Sequence, residues 1–349
     1  PRDWSSDVCS SDLFESIWNF PDNMKDAFAL GNKISLNHAY NNIQNIVIAG
    51  MGGSAIGGDV VSVLEKQNLN VPMVVCRGYS VPNWVNENTL VICSSYSGNT
   101  EETLAALEDA HMKNSQICGI TTGGKIAERL RELEKDVVII PSGLQPRAAL
   151  AFSFVPIAKC LEKTGVISLS FDNWMEDAIE AISKARELYS QENENNPVYE
   201  LAQQVYDKIP VIYADNSTLG VAAVRLKGQI CENGKMLAYH NELPEFNHNE
   251  IVGWENNPDI YEKLFVLWLT DSDDNPRVKH RQEITQNILN EVGADQYVLE
   301  MTGNSFQERF LHSVHYGDWL SYWCAILHGT DPSPVEKISR LKEELSRRP

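Results

Sequence analysis

Short apolar runs alternate with segments of helical periodicity along almost the whole chain, and that alternation restricts the fold more than any other feature. Residues 45–49, 71–76, 89–93, 116–121 and 136–141 read as buried strands. Helical stretches at 54–67, 101–113 and 125–134 separate them. Apolar strands joined through helices require right-handed crossovers, hence an α/β fold with a parallel sheet flanked by helices. A closing helix is expected at 148–164. Another is expected at 173–192, where Met175, Ala178, Ile179, Ile182, Ala185 and Leu188 recur at helical spacing.

The polar segment 191–197 ends in Pro197 and reads as a linker. Alternation then resumes, with strands at 210–214, 264–270 and 296–301 and helices at 219–235 and 276–292. The aromatic-rich stretch 306–328 reads as a long helix in a core or subunit interface. Residues 334–346 read as a closing amphipathic helix, with Pro334 near its first turn. Two halves of similar plan predict an internal duplication of fold. The expected division is an N-terminal domain at 14–165, a helical linker at 166–196 and a C-terminal domain with its closing helix at 197–349. A length of 349 residues agrees with two domains.

A net charge of −19 opposes nucleic-acid binding, which needs a basic face. The longest apolar stretch, 148–158, is shorter than the roughly 20 residues that span a bilayer, so no membrane partner is expected. Seven scattered cysteines with no C-x-x-C pair read as reduced, buried thiols, which implies a cytoplasmic protein. Residues 1–13, PRDWSSDVCSSDL, lack periodicity and repeat SSD. They resemble a translated sequencing adapter and read as a non-native leader, with natural sequence expected from near Phe14.

Two turns carry chemistry. CSSYSGNTEET, 93–103, stands where a strand hands over to a helix. Unpaired N–H groups and a partial positive charge at a helix start attract anions. Ser95, Ser97 and Thr100 add three hydroxyls, and Gly98 permits close backbone approach. The loop has no lysine, so it is not a nucleotide P-loop. Its plainer reading is a turn with Thr100 as N-cap.

The turn 50–58, GMGGSAIGG, satisfies G-x-G-x-x-[GA] with Gly50, Gly52 and Ala55. A dinucleotide site also wants an acidic residue at the end of the next strand. That strand ends VVCRG, 74–78, without a carboxylate, although Arg77 leaves an NADP site open. The other use of this turn is a second anion seat, with Gly53 and Ser54 beside the serine-rich loop.

GMGGSAIGGD, SSYSGNTEET, GLQPRAA (143–149), QICENGK (229–235), LPEFNHNEIVGWE (243–255) and DPSPVEKISRLK (331–342) together resemble the bifunctional phosphoglucose/phosphomannose isomerase family. Its members are built from two sugar-isomerase (SIS) domains, and the likeness runs in order from about residue 45 to 342. It implies that Gly53, Ser54, Ser95, Ser97 and Thr100 cradle a sugar phosphate and that Arg147 faces the reacting carbons. It further implies Glu232 as base, His248 as ring-opening acid/base supplied across a homodimer interface, and a C-terminal lysine assigned to Lys342, with Lys337 the alternative.

Those residue types suit the reaction. A histidine transfers protons near neutrality, a carboxylate moves a proton between adjacent carbons, and a permanently charged guanidinium stabilises an enediolate. No cofactor is expected. Taken singly, the plainer readings prevail: Glu232 as a solvated helix carboxylate, Arg147 as a helix-start residue and His248 as a loop histidine. His240, Glu242, His248 and Glu250 match no common zinc spacing. Two other readings remain: a non-catalytic SIS phosphosugar sensor, and an NADP-binding oxidoreductase.

Overall fold

The structure, a computed structural model, describes residues 12–168 and 170–348. Of the expected leader, residues 1–11 lie outside the described residues. The chain divides into two compact units. One comprises Asn19–Ala181 with Ser305–Glu308. The other comprises Ile182–Asn304 and the stretch from Arg309, together with the first helix, α1 (Asp12–Trp18).

The first unit holds five parallel strands: β1 (Asn45–Ala49), β2 (Met73–Cys76), β3 (Thr89–Ser95), β4 (Gln116–Thr121) and β5 (Asp136–Ile139). Their order is β2-β1-β3-β4-β5. The order reverses between β1 and β3, and such a switch point opens a crevice at the carboxyl ends of the strands. All seven residues of β3 are buried, as a central parallel strand with both faces covered requires. Val47, Val91, Leu107, Ile117 and Leu130 fill the core on one face.

Helix α2 (Phe20–Asn32) precedes β1, and α3 (Gly52–Leu64), α4 (Glu101–Met112), α5 (Gly124–Glu132) and α6 (Ala151–Lys163) follow the strands. The strand β3 runs two residues further than its apolar pattern, so Ser94 and Ser95 belong to the sheet. The expected helix at 148–164 starts at Ala151 as α6, and a separate 3₁₀ turn, Pro146–Ala148, precedes it. Every residue from Ala151 to Leu161 is buried. Lys159 is accommodated because its ammonium lies 5.2 Å from the Phe28 ring centre and 3.1 Å from the Glu162 carboxylate.

Helix α7 (Met175–Tyr189) precedes α8 (Pro197–Val205). The second unit has four parallel strands, β6 (Ile209–Asp215), β7 (Tyr239–Leu243), β8 (Leu264–Thr270) and β9 (Asp295–Glu300), in the order β7-β6-β8-β9. Its helices are α9 (Gly220–Glu232), the short α10 (Pro258–Tyr261), α11 (Pro276–Glu291), α12 (Phe306–Leu327) and α13 (Glu336–Ser346). On α12, Phe310, Tyr316, Trp319, Tyr322 and Trp323 are all buried, so the expected aromatic core is present.

Two elements depart from the alternation seen in the sequence. The edge strand β7, YHNEL, is half polar and exposes Tyr239, so it carries no apolar run. The segment before α8 is polar yet ordered. Fully buried Asn196 caps α8 by accepting the Val198 N–H at 2.9 Å and donates to the Tyr189 and Gln191 carbonyls at 2.8 Å each.

Candidate active site

At the switch point, the turn after β1 leads directly into α3, whose first turn is Gly52, Gly53 and Ser54. The glycines serve packing. A Cβ on Gly53 would lie 2.5 Å from the Pro146 carbonyl oxygen and 3.6 Å from Arg147 Cα. One on Gly57 would lie 2.0 Å from Ser153 Oγ. The helix therefore rests against the Pro146–Ala148 turn and the start of α6, at distances no side chain tolerates. Of the fingerprint glycines, Gly50 would bring a Cβ to 2.7 Å from the Ser94 carbonyl oxygen and Gly52 has φ +51°, so packing and turn geometry account for them without a nucleotide. Arg77, which an NADP site would recruit, is paired with Asp59.

The second turn joins β3 to α4. Ser95 Oγ lies 2.9 Å from Thr100 Oγ1 and accepts the Gly98 N–H at 3.2 Å. Thr100 stands at the N-cap of α4, but its side chain makes no cap bond. The two hydroxyls instead bridge the base of the loop. Gly98 has φ +68°, and a Cβ there would meet the Gly123 carbonyl at 1.8 Å, so only glycine closes this turn. Ser97 is exposed at the rim and accepts the Asn99 N–H at 3.3 Å.

Hydrogen bonds join the turns. Ser54 Oγ accepts the Tyr96 N–H at 3.1 Å, and Ser153 donates to the Ser54 carbonyl at 3.2 Å. The Tyr96 phenol accepts the Leu144 N–H at 2.9 Å, which ties the serine-rich loop to the segment leading into Arg147. Burial raises the Tyr96 pKa, against a smaller opposing effect of that hydrogen bond, so the phenol stays neutral. Arg147 itself is only 6% exposed. Gly53, Ser54, Ser94, Tyr96, Pro146 and Ser153 line a narrow cleft between these segments.

The structure thus sets Gly53 and Ser54 against the turn that carries Arg147, and ties Ser54 through Tyr96 to the loop that carries Ser95, Ser97 and Thr100. Sequence reasoning missed Tyr96 and Ser153. The signal for Ser153 was a hydroxyl standing alone in the apolar run AFSFVPIA.

The remaining expected residues belong to the second unit. Glu232 is the last residue of α9. A polar seam fastens that helix to α12. Buried Arg225 holds both Asp318 oxygens at 3.0 and 2.8 Å, Gln229 donates to Asp318 at 2.7 Å, and Asn233 donates to Ser321 at 2.9 Å. Gln229 and Asn233, four apart, share the face of α9 that meets α12, whereas Glu232 is partly exposed.

His248 ends a 3₁₀ turn, Glu245–His248, and is exposed. Lys342 and Lys337 lie on α13, of which no residue is buried. The carboxyl edge of this second sheet carries carboxylates in place of a serine loop. Asp215, Asp271 and Asp274 are buried there, and Arg309 grips Asp271 at 2.9 and 2.8 Å. Among the described residues, no three His, Cys, Asp or Glu side chains are grouped to hold a metal ion, and no helix is long and apolar enough to cross a membrane.

Comparison with known proteins accords with this geometry. The C-terminal domain of glucosamine-fructose-6-phosphate aminotransferase from Francisella tularensis superposes with a TM-score of 0.73 at 15% identity, covering 93% of this chain and 98% of that one. At that identity the likeness concerns the fold alone. The family described as bacterial phospho-glucose isomerase C-terminal SIS domain matches residues 194–345. A bifunctional phosphoglucose/phosphomannose isomerase from Aquifex aeolicus is 40% identical over 305 residues, 87% of this chain and 91% of its own length. Its counterpart from Caldicellulosiruptor bescii is 41% identical over 336 residues, 96% of this chain and 99% of its own. With identity sustained over nearly the full length of both proteins, this chain is a member of the bifunctional phosphoglucose/phosphomannose isomerase family.

Proposed function

We propose that the protein interconverts glucose 6-phosphate and mannose 6-phosphate with fructose 6-phosphate through an enediol(ate) intermediate. The observation that carries this reading is the switch-point crevice of a family member. There, the start of α3 rests against the turn that carries buried Arg147, and Tyr96 ties it to the hydroxyl-rich loop before α4.

In this reading Gly53, Ser54, Ser95, Ser97 and Thr100 receive the phosphate. The site must hold an anion against a net charge of −19, which it does by short-range donors and two helix dipoles. Opening an aldose ring breaks the C1–O5 bond, removes the proton of O1 and delivers one to O5. His248 is assigned that transfer. Glu232 then takes the C2 proton and returns it to C1, giving the ketose. Arg147 offsets the oxyanion that develops between these steps. The proton moves between neighbouring carbons with no net oxidation, so no redox cofactor enters the scheme. Lys342 is assigned a supporting cationic role, with Lys337 the alternative.

We further read the protein as a cytoplasmic homodimer in which His248 serves the partner's site. The domains are taken as 14–165 and 197–349, joined through 166–196.

The test is an assay of the purified protein on both aldose phosphates, beside Glu232→Gln. Turnover of both sugars by the parent, with a loss of about 10³-fold or more in the variant, is expected. Undiminished turnover in the variant would remove Glu232 from the base role. A parent that binds but never converts either sugar would be a phosphosugar sensor instead.

A further inference from the structure

The His248 side chain makes no hydrogen bond with the described residues, yet the residues around it are fastened. Two residues before it, Phe246 is fully buried, with its ring 4.4 Å from that of Tyr213. Just before it, Asn247 donates to Thr285 Oγ1 of α11 at 2.9 Å. Two residues after it, Glu250 accepts the Tyr213 hydroxyl at 2.5 Å through one carboxylate oxygen and Asn241 Nδ2 at 2.5 Å through the other. The Glu250 N–H is itself bound by Asn249 Oδ1 at 2.6 Å.

Tyr213 therefore holds the segment on both sides of the histidine, by its ring face before it and by its hydroxyl after it. Tyr213 is fully buried on β6 and Asn241 lies on the neighbouring strand β7, so the anchor is the sheet itself. Burial, and then the Glu250 carboxylate, push the Tyr213 phenol far above its usual pKa, so it remains a donor. A fastened backbone fixes where the exposed imidazole starts and leaves only its two side-chain torsions to vary. That is what a proton-transfer group needs if it must meet an oxygen atom at hydrogen-bond distance.

We propose that Glu250 and Tyr213 are positioning residues for His248, acting on sugar ring opening and not on the proton transfer between carbons. The inference rests on the ring-opening role assigned to His248. In the fructofuranose direction the C2–O5 bond breaks, the anomeric O2–H proton is lost, O5 gains a proton and the C2 carbonyl forms. A misplaced imidazole slows this step alone.

The experiment compares fructose 6-phosphate with 5-deoxyfructose 6-phosphate. The latter has no O5 hydroxyl, cannot cyclise and needs no ring opening. Glu250→Ala is expected to lose about 100-fold in kcat on fructose 6-phosphate, and Tyr213→Phe about 10-fold, with KM changed less than about twofold. Glu250→Gln, which keeps an acceptor for the phenol, should recover part of the loss. All three should turn over the open-chain analogue within about twofold of the parent.

Equal losses on both substrates would mean general damage and would overturn the proposal. So would full fructose 6-phosphate turnover by Glu250→Ala when His248→Gln is impaired on that substrate. Full turnover by His248→Gln would instead remove the ring-opening role itself, and this proposal with it.

Discussion

The phenol of Tyr96 accepts the main-chain N–H of Leu144, 48 residues further along the chain, at 2.9 Å. One end of this tyrosine lies in the hydroxyl-rich turn after β3, where its own N–H reaches Ser54. The other end steadies the approach to Arg147. A single residue, by its main-chain N–H and its phenol, thus joins three segments of the crevice.

Tyr96→Phe should separate binding from turnover. Loss of one hydrogen bond costs about 1 kcal/mol of stability, and the Leu144 segment becomes free to drift. Inorganic phosphate affinity, read by calorimetry, should change less than about threefold, while kcat falls about tenfold. An equal loss in both would place Tyr96 in the phosphate seat instead.

Gly53→Ala should be far more damaging than its one added methyl group suggests. The new Cβ would meet the Pro146 carbonyl at 2.5 Å, and main-chain atoms on both sides cannot swing away. A stability loss of about 1–3 kcal/mol, typical of overpacking, should accompany a turnover loss of at least about 100-fold. Gly78→Ala is the control, because a Cβ there meets nothing within 4 Å and its φ is not in the left-handed region. Thermal melts and assays of the two variants decide the matter.

The seam between α9 and α12 predicts non-additive stability effects. Burial raises the Asp318 carboxyl pKa, and Arg225 and Gln229 only partly offset that. Asp318→Asn leaves the Arg225 charge buried with its main counter-charge gone, which should cost about 3–5 kcal/mol. The double variant Arg225→Met, Asp318→Leu removes both charges and should lose much less than the sum of the single changes. Denaturant titrations of the singles and the double test this, and additivity would contradict it.

His315 predicts acid sensitivity. It is fully buried and accepts the Trp319 indole N–H on Nε2 at 3.0 Å. Burial, then electrostatic repulsion from the neighbouring His312 and Arg186 side chains, hold its pKa well below the usual value. The unfolded chain therefore takes up a proton that the folded chain refuses. Stability is fully present above about pH 6.5, the ordinary histidine value. It should decline by up to about 1.4 kcal/mol per pH unit as pH falls towards the folded-state pKa. His315→Gln should flatten that slope in melts between pH 7 and 5, and an unchanged slope would assign the effect to other groups.

The core was legible wherever burial on two sides demanded unbroken apolar runs, as in NIVIA of β1 and LFVLWLT of β8. It was not legible for β7, because an edge strand needs no apolar run. The two turns after β1 and β3 were visible because glycines and hydroxyls sit at strand ends within a few residues of one another. The supports of those turns were hidden for a different reason. Tyr96 and Leu144 are joined across 48 residues, and Tyr213 and Glu250 across 37, so only the folded sheet makes them neighbours. For the same reason, QICENGK could not reveal that Gln229 and Asn233 grip α12.

The bare contact between Gly53 and the Pro146 carbonyl has one more consequence. Because main chain meets main chain there, the spacing between the start of α3 and the turn that carries Arg147 is a gauge that no side-chain exchange resets. Adapting this crevice to a sugar one carbon shorter or longer would have to proceed through residues elsewhere around the substrate, with this wall kept as the fixed reference.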